Sequence, residues 1–513
     1  MTFNSGEIIQ DVRAEFEQLI DFVTGEQART AKADSIERGL FKMLLRLGAK
    51  LLQLFFVMRS QACSRQPVQR QSGEELAYHR DSKRVYFSIF SKVIIERPYF
   101  YKQGASAQIP LDAELGLGDD CYSDLLREVT EYLAVYSVYG GKSADFLERL
   151  LGFKLSTRAL QENIAEDAES VETYYAQKPP PCLESEANIL VIQADGKGIP
   201  MVLEEEACEA PVRLGKGQKH GRKKEAVVTA VYTITAAPRT PTEVIASFFS
   251  ENQPEKTPQK ASKPHNKHIW ATLDGKDVAL SRLTQQVALR EGAHIRHRVA
   301  LCDGCEALQS RLVLQFQDFM LILDFVHANE YLWDAANSLL GEISDQRLEW
   351  VKSRTLQILS GQTMQVIAEL RRIAKTKKTK VAQRKQLTKT ANYFERNLPY
   401  MDYQTYLSNG YPIASGVIEG ACRHFVKDRF ELSGMRWLQT GAENLLRLRA
   451  VAENKDWEAY HAYRIEQRQL RLYGQSVPHT QTLESHVINS QPAHHQPLAT
   501  NAHLNRNLLP LAS

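Results

Sequence analysis

Two apolar runs end in the same acidic dipeptide, Ile-Leu-Val-Ile-Gln-Ala-Asp195-Gly196 and Arg-Val-Ala-Leu-Cys-Asp303-Gly304. An aspartate at the carboxyl end of a buried strand stands at the rim of a sheet, where open α/β folds place their chemistry. The following glycine permits a tight turn or the close approach of another backbone. A lone Asp-Gly is a common turn dipeptide. Two of them, each closing a strand of one sheet, supply carboxylates that can work together. Phosphodiester cleavage calls for such a set, because two divalent ions about 4 Å apart stabilise the attacking and leaving oxygens of an in-line displacement. Mg²⁺ is hard and favours Asp and Glu oxygens over Cys or His. A third acid is needed, and residue chemistry leaves two open: Asp324, closing a further strand, and Glu419, early in a later helix.

Periodicity indicates the elements that must position these acids. The 513-residue chain is too long for one core, so several domains are expected. Segment 7–60 has the three- and four-residue spacing of two helices, whereas β-branched and aromatic residues at 84–100 predict one or two strands. Helical spacing returns over 121–175. Within it, 143–168 fits a helix-turn-helix, with a first helix ending at Gly152 and a second capped by Ser156, and fits a plain helical hairpin equally well. Pro179-Pro180-Pro181 breaks the helical pattern. Strands are then predicted at 189–195, 226–234, 298–303 and 319–324, with a helix over 277–291. The polar stretch 331–396 is helical, and further helices follow at 416–430 and 440–453. The expected divisions are 1–110 (helices and strands), 111–178 (helical, a candidate helix-turn-helix DNA-binding domain), 179–330 (α/β core), 331–412 (all-α insertion), 413–455 (last core helices) and 456–513 (a polar, disordered tail).

Charge and cysteine content narrow the setting. A formal net charge of +3 does not announce a nucleic-acid binder, so local clusters must carry that argument. Segment 213–224 holds six Lys/Arg, among them Lys216, Lys219, Arg222, Lys223 and Lys224, with three glycines and no acid. Segment 371–389 holds nine Lys/Arg and no acid. Two such runs flanking the acids favour contact with DNA phosphates over a merely solvated surface. The most apolar stretch, 40–58, carries Lys42, Arg46 and Lys50 at four-residue spacing, which predicts an amphipathic helix and no membrane span. The first residues show no basic segment followed by an apolar run, so no secretory signal is expected. Seven scattered cysteines suggest reduced thiols and a cytoplasmic setting. The single Cys302-x-x-Cys305 lacks a partner pair, and the tail histidines 479, 486, 494, 495 and 503 fit a solvated tail better than a metal site.

The run 412–437, from Pro412-Ile-Ala-Ser415-Gly-Val-Ile-Glu419 through a basic helix to Ser433-Gly-Met-Arg436-Trp437, resembles the C-terminal block of ISKra-type insertion-sequence transposases. Gly441-Ala442 and Leu448-Arg449-Ala450 also fit, and the resemblance spans about 175–455. These enzymes resemble the wider Mutator-like group of DDE transposases. The resemblance implies an α/β fold, an RNase H-like mixed sheet with an all-α insertion, preceded by a mainly helical N-terminal region. It implies that Asp195, Asp303 and Glu419 are the catalytic, metal-binding triad, holding two Mg²⁺ or Mn²⁺ ions. Asp324-x-x-His327 resembles that group's Asp-x-x-His signature, which implies a supporting role; a helix N-cap at Asp324 is the plainer alternative. Arg423 and Lys427, each one turn beyond the last from Glu419, and Arg436 are expected on DNA phosphates, and Trp437 is expected to stack on an unpaired base or to anchor the core. The expected activity is DNA cleavage at element ends and strand transfer, with terminal repeats and target DNA as partners, a homo-oligomer at synapsis and a nucleoid-associated location. A nuclease without strand transfer and a non-catalytic DNA-binding derivative are the rivals.

Overall fold

The computed structural model describes residues 4–70, 72–152, 155–202, 223–249, 263–344, 346–432 and 434–474. Lys216, Lys219, Arg222 and the tail histidines lie outside them. The chain begins with an antiparallel helical hairpin, α1 (Ser5–Thr24) and α2 (Ala33–Ala62). An antiparallel sheet follows, β1 (Val68–Gln69), β2 (Glu75–Phe87) and β3 (Lys92–Tyr101). Gln53 of α2 ties the two together, donating to the Ile94 carbonyl (2.7 Å) and accepting from the Ile94 N–H (2.9 Å).

Five helices come next: α3 (Pro110–Glu114), α4 (Asp124–Tyr136), α5 (Asp145–Leu151), α6 (Thr157–Ala168) and α7 (Val171–Gln177). As the spacing predicts, Gly152 ends α5 in the left-handed region and the Ser156 hydroxyl caps α6. The outward face of α6 carries Arg158 and Glu162, which pair with each other. Its apolar face buries Leu160, Ile164 and Ala168.

The central sheet has the order β6-β5-β4-β7-β8, formed by β4 (Ile189–Pro200), β5 (Lys223–Ile234), β6 (His265–Thr272), β7 (His297–Cys302) and β8 (Met320–Leu323). β5 runs antiparallel to β4 and β6, while β7 and β8 run parallel to β4. Strand β6 goes beyond the sequence reading; it is a short edge strand that opens with the polar run His-Asn-Lys-His. Leu190, Ile192, Ala300 and Leu321 face one side, packed on α9 (Lys276–Ala288) and α10 (Glu306–Gln315). Ile189, Val191, Val299, Leu301 and Ile322 face the other, packed on an all-helical region. That region comprises α11 (Phe325–Leu340), α12 (Gln346–Leu359), α13 (Thr363–Lys375), α14 (Val381–Asn397) and α15 (Tyr403–Ser408), with α8 (Pro241–Phe248) beside it. The same face continues against α16 (Gly416–Gly420), a π-helical stretch over Ala421–Lys427, α17 (Asp428–Phe430) and α18 (Gln439–Glu453). No helix among the described residues is long and apolar enough to cross a membrane.

Two expected boundaries are corrected. The helices of 111–178 share their core with the central sheet and α18, because Leu160, Tyr174 and Tyr175 pack with Ile269, Trp270 and Leu446. The chain also remains ordered beyond 455, since α19 (Trp457–Tyr473) returns to the first helices. Arg464 and Arg468 of α19 pair with Asp124 of α4, and Arg464 also reaches Asp167 of α6. Buried Arg127 joins them, bonding Asp120, Glu166 and Asp167.

His461 of α19 is enclosed in this network, its ring against Trp457 and Tyr460. Burial, reinforced by the Arg464 charge, pushes its pKa down to about 3. The unfolded chain therefore binds this proton more readily, and His461 subtracts stability as pH falls below about 6.5. The neighbouring Glu131 has the opposite sign, because burial raises its pKa, so comparison with a variant isolates the histidine. His461→Phe, which retains a ring in the stack, is expected to gain about 2–3 kcal/mol on the natural protein between pH 7 and 4.5 in urea unfolding. A gap constant with pH refutes this account.

Candidate metal centre

The strand register brings the acids to one level. Ala194 pairs with Cys302 and Cys302 pairs with Leu323, so Asp195, Asp303 and Asp324 are the next residues on three adjacent parallel strands. Neighbouring strands lie about 5 Å apart. Alternation along each strand places the three on the sheet face that also carries Val191, Leu301 and Ile322. One expectation changes: β4 does not end at Asp195 but continues to Pro200, paired throughout with β5. The β4–β5 ribbon thus overhangs the acids by about 17 Å. Gly196 makes no turn; a Cβ there would meet the Glu225 side chain. At Gly304 a Cβ would fall 2.3 Å from the Tyr393 ring, so α14 closes on the loop that carries Asp303.

Glu419 reaches this edge through two hydrogen-bonded anchors. The Ser415 N–H donates to Asp324 Oδ2 at 3.0 Å and the Ser415 hydroxyl donates to the same oxygen. Asp324 Oδ1 meanwhile accepts from the Val326 N–H (2.7 Å), capping α11. The Ile418 N–H donates to Oε1 of Gln193 (2.9 Å), a fully buried side chain two residues before Asp195. The next turn presents the Cys422 thiol to Asp195 Oδ2 at 3.3 Å. Asp324 is thus the N-cap of α11, and the same carboxylate fixes the loop that leads to Glu419. Burial pushes its carboxyl up to about 6, against the lowering effect of the Val326 N–H, His327 and the Ser415 N–H.

Asp324, His327 and Glu419 each offer a ligand atom, all within 4.8 Å of one another, and can hold a metal ion. His327 Nε2 lies 3.8 Å from Glu419 Oε1, and its Nδ1 lies 3.2 Å from Glu330. Burial alone would lower the His327 pKa, but Asp324, Glu330 and Asp303 raise it above its ordinary value. Asp195 and Asp303 stand beside this group and outside it. Asp303 Oδ1 accepts from the Cys305 N–H (3.0 Å), and Asp195 Oδ1 from the Gly196 N–H (2.6 Å). Half-exposed Glu419 and the carboxylate oxygens beside it form a hard, oxygen-rich set; the imidazole is the softer member. Cys302 and Cys305 belong to no convergent ligand group among the described residues, and burial holds the Cys302 thiol protonated. A second group, Glu131, Asp167 and His461, is buried, but the guanidinium groups of Arg127 and Arg464 already occupy the Asp167 oxygens.

The expected DNA-contacting residues divide. Arg423, Lys427 and Arg436 are exposed, while Lys223 pairs with Glu431 and Lys224 donates to Gln439 at the far end of the overhanging ribbon. The helix after Glu419 is π-helical, not α-helical, over Ala421–Lys427. The carbonyls of His424 and Phe425 are left for buried Arg449, which donates to both. For Trp437 the base-stacking reading is corrected. Only 8% of it is exposed, its Nε1–H donates to the Phe430 carbonyl (3.2 Å), and its backbone pairs with Pro200 and Val202. It anchors the core.

Sequence reasoning assigned no role to Gln193, Ser415 or Tyr393. Gln193 had a visible signal, a polar residue inside an apolar strand. Tyr393 had none; it stacks on Tyr331 at 3.7 Å, with Lys389 and Arg396 over the two rings. No family model matches the chain, and no curated protein matches it.

Ser415→Ala removes a hydrogen bond to a buried carboxylate and is expected to cost about 1.5–3 kcal/mol of stability. Gln193→Leu leaves the Ile418 N–H without its acceptor. In both variants amide exchange over 416–420 should accelerate more than exchange in β4 or β7. Unchanged protection at 416–420 would show that these two contacts do not hold the helix.

Proposed function

We propose that this chain is a DDE transposase with an RNase H-like core, cutting DNA at the ends of a mobile element and joining those ends to target DNA. One observation carries the reading: three aspartates at one level on adjacent parallel strands, with a glutamate-bearing helix pinned to the same edge. The strand order, in chain sequence 3-2-1-4-5 with the second strand reversed, supports the RNase H-like assignment. The helices between β8 and α16 support the reading of an insertion before the glutamate. The Ser415-Gly-Val-Ile-Glu419 and Gly-Met-Arg436-Trp437 blocks support the transposase class.

In this reading Asp195, Asp303 and Glu419 hold two Mg²⁺ or Mn²⁺ ions, with Asp324 and His327 at the margin. Bound there, the ions supply charge stabilisation to an in-line displacement at phosphorus. Asp324 and Gln193 keep Glu419 in register with the aspartates, so the set is organised before DNA arrives. Lys223, Lys224, Arg423, Lys427 and Arg436 bind backbone phosphates and fix the strand across the edge. Water is the nucleophile of the first step, releasing a 3′-hydroxyl, and that hydroxyl is the nucleophile of the second. No side chain becomes covalently attached to DNA.

The test uses the purified full chain, Mg²⁺ and labelled DNA carrying the element's terminal inverted repeats. Cleaved and joined products are expected. Asp195→Ala, Asp303→Ala and Glu419→Ala should each lose about a thousandfold or more in rate, the several kcal/mol that a displaced catalytic ion supplies. Cleavage without joining would indicate a nuclease, and binding alone a DNA-binding protein. Full cleavage by Asp195→Ala or Glu419→Ala overturns the assignment of the acids.

A further inference from the structure

The nine Lys/Arg of 371–389 divide once their surroundings are known. Arg371 pairs with Glu395, and Arg384 donates to the Ala374 carbonyl (3.0 Å), so both hold α13 to α14. Lys385 and Lys389 enter no ion pair among the described residues. They share the exposed face of α14 with Asn392 and Arg396, at the alternating steps of four and three residues that keep side chains on one side of a helix. The opposite face, with Leu387, Ala391 and Phe394, is buried in the core. Between Lys385 and Arg396 the exposed face presents hydrogen-bond donors, with no acid and no apolar anchor. That composition suits a phosphate backbone and not a protein partner, whose interfaces centre on apolar and aromatic residues.

Two rings fix where this face points. Tyr331 stands one turn beyond His327 on α11 and stacks on Tyr393 of α14, with centroids 3.7 Å apart and planes at 8°. Lys389 lies over the Tyr331 ring at 5.2 Å and Arg396 over the Tyr393 ring at 5.6 Å, so each cation has an aromatic seat. Arg396 also donates to the carbonyl of Gly304, next to Asp303, and lies 3.6 Å from Glu306. The face thus begins at the loop that carries Asp303. It runs outward from there to Lys385 for about 16 Å, the axial length of about five base pairs. Lys223 and Lys224 flank the acids from the other side, because their ribbon is built on β4 and β5 whereas α14 meets the loop after β7.

We propose that the exposed face of α14, from Arg396 to Lys385, binds the phosphates of the DNA that leaves the acids on the Asp303 side. The inference rests on the transposase reading for the identity of the polyanion, and it names the path that DNA takes across the helical region. Fluorescence anisotropy with the full chain, a labelled duplex carrying the element's terminal repeat, and EDTA in place of Mg²⁺ reads binding without cleavage. Lys385→Gln combined with Lys389→Gln should raise Kd about tenfold or more at about 0.1 M salt. The slope of log Kd against log salt should fall by about two, the counterion release of two phosphate contacts. Lys32→Gln combined with Lys92→Gln removes the same charge from exposed positions of the N-terminal hairpin and sheet. That pair should change Kd less than about twofold and leave the slope as it is. Circular dichroism and melting temperature should not move in either pair. An α14 pair that binds like the natural protein, or two pairs that weaken equally, overturns the proposal while the DNA reading stands. A natural protein that does not bind DNA overturns both.

Discussion

The site depends on one buried carboxylate. Asp324 ends β8, caps α11 and grips Ser415, so a single side chain joins the sheet edge, the start of the helical region and the loop that leaves it. About ninety residues separate Asp324 from Ser415, and all the helices from α11 to α15 lie in that interval. Without a fixed point at both ends, the position of Glu419 would inherit every small shift of five helices. With it, Glu419 is held in register with the strands directly. Gln193 makes the arrangement two-point, because it takes the Ile418 N–H from the neighbouring strand. One anchor would leave α16 free to pivot; two fix its direction.

Buried arginines extend the same logic to the rest of the molecule. Arg429 and Arg449 donate to the carbonyls of Ala134 and Val135 at the end of α4, and Arg429 lies over the rings of Tyr139 and Trp437. Burial brings both guanidinium pKa values down to about 10, still far above neutrality, so both remain charged in the core. Their partners are helix-end carbonyls, groups that carry partial negative charge and otherwise lack intrahelical donors. Arg127, Arg464 and Arg468 tie α4, α6 and α19 together by ion pairs. Part of the basic content near Glu419 is therefore structural, whereas Arg423, Lys427 and Arg436 are exposed.

What could be read from residues follows from whether the signal was local. The apolar runs that lead into Asp195, Asp303 and Asp324 were legible as strands because burial on both faces leaves them continuous. The N-cap of α6 at Ser156 was legible from hydroxyl chemistry. Glu419 was not legible from physics, since its place depends on contacts with Asp324 and Gln193 far away in the chain; a resemblance of motif supplied it. Strand β6 escaped because half of it is polar. Helix α19 escaped because its buried face is built from Arg464, Arg468 and His461, which mimic a solvated surface when their partners in α4 and α6 are not known. The same ambiguity made Trp437 readable as a base platform.

Four carboxyl groups at one sheet edge set a condition on anything negatively charged that approaches. With no counter-charge, Asp195, Asp303 and Glu419 repel a phosphate backbone, and the raised pKa of Asp324 registers part of that crowding through Glu419, behind the larger effect of its burial. Two features oppose the repulsion. His327, its pKa raised by three neighbouring acids, takes up a proton within the cluster more readily than a free imidazole. The β4–β5 ribbon carries Lys223 and Lys224 beyond the acids, at a distance where, in the proposed reading, they would meet phosphates flanking the edge and not the one at its centre. In the proposed reading divalent cations complete the balance, so metal and DNA should each bind more tightly in the presence of the other. A protein with a net charge of only +3 can then hold a polyanion at a cluster of acids, because the attraction is local and the repulsion is neutralised by the same ions that assist the chemistry.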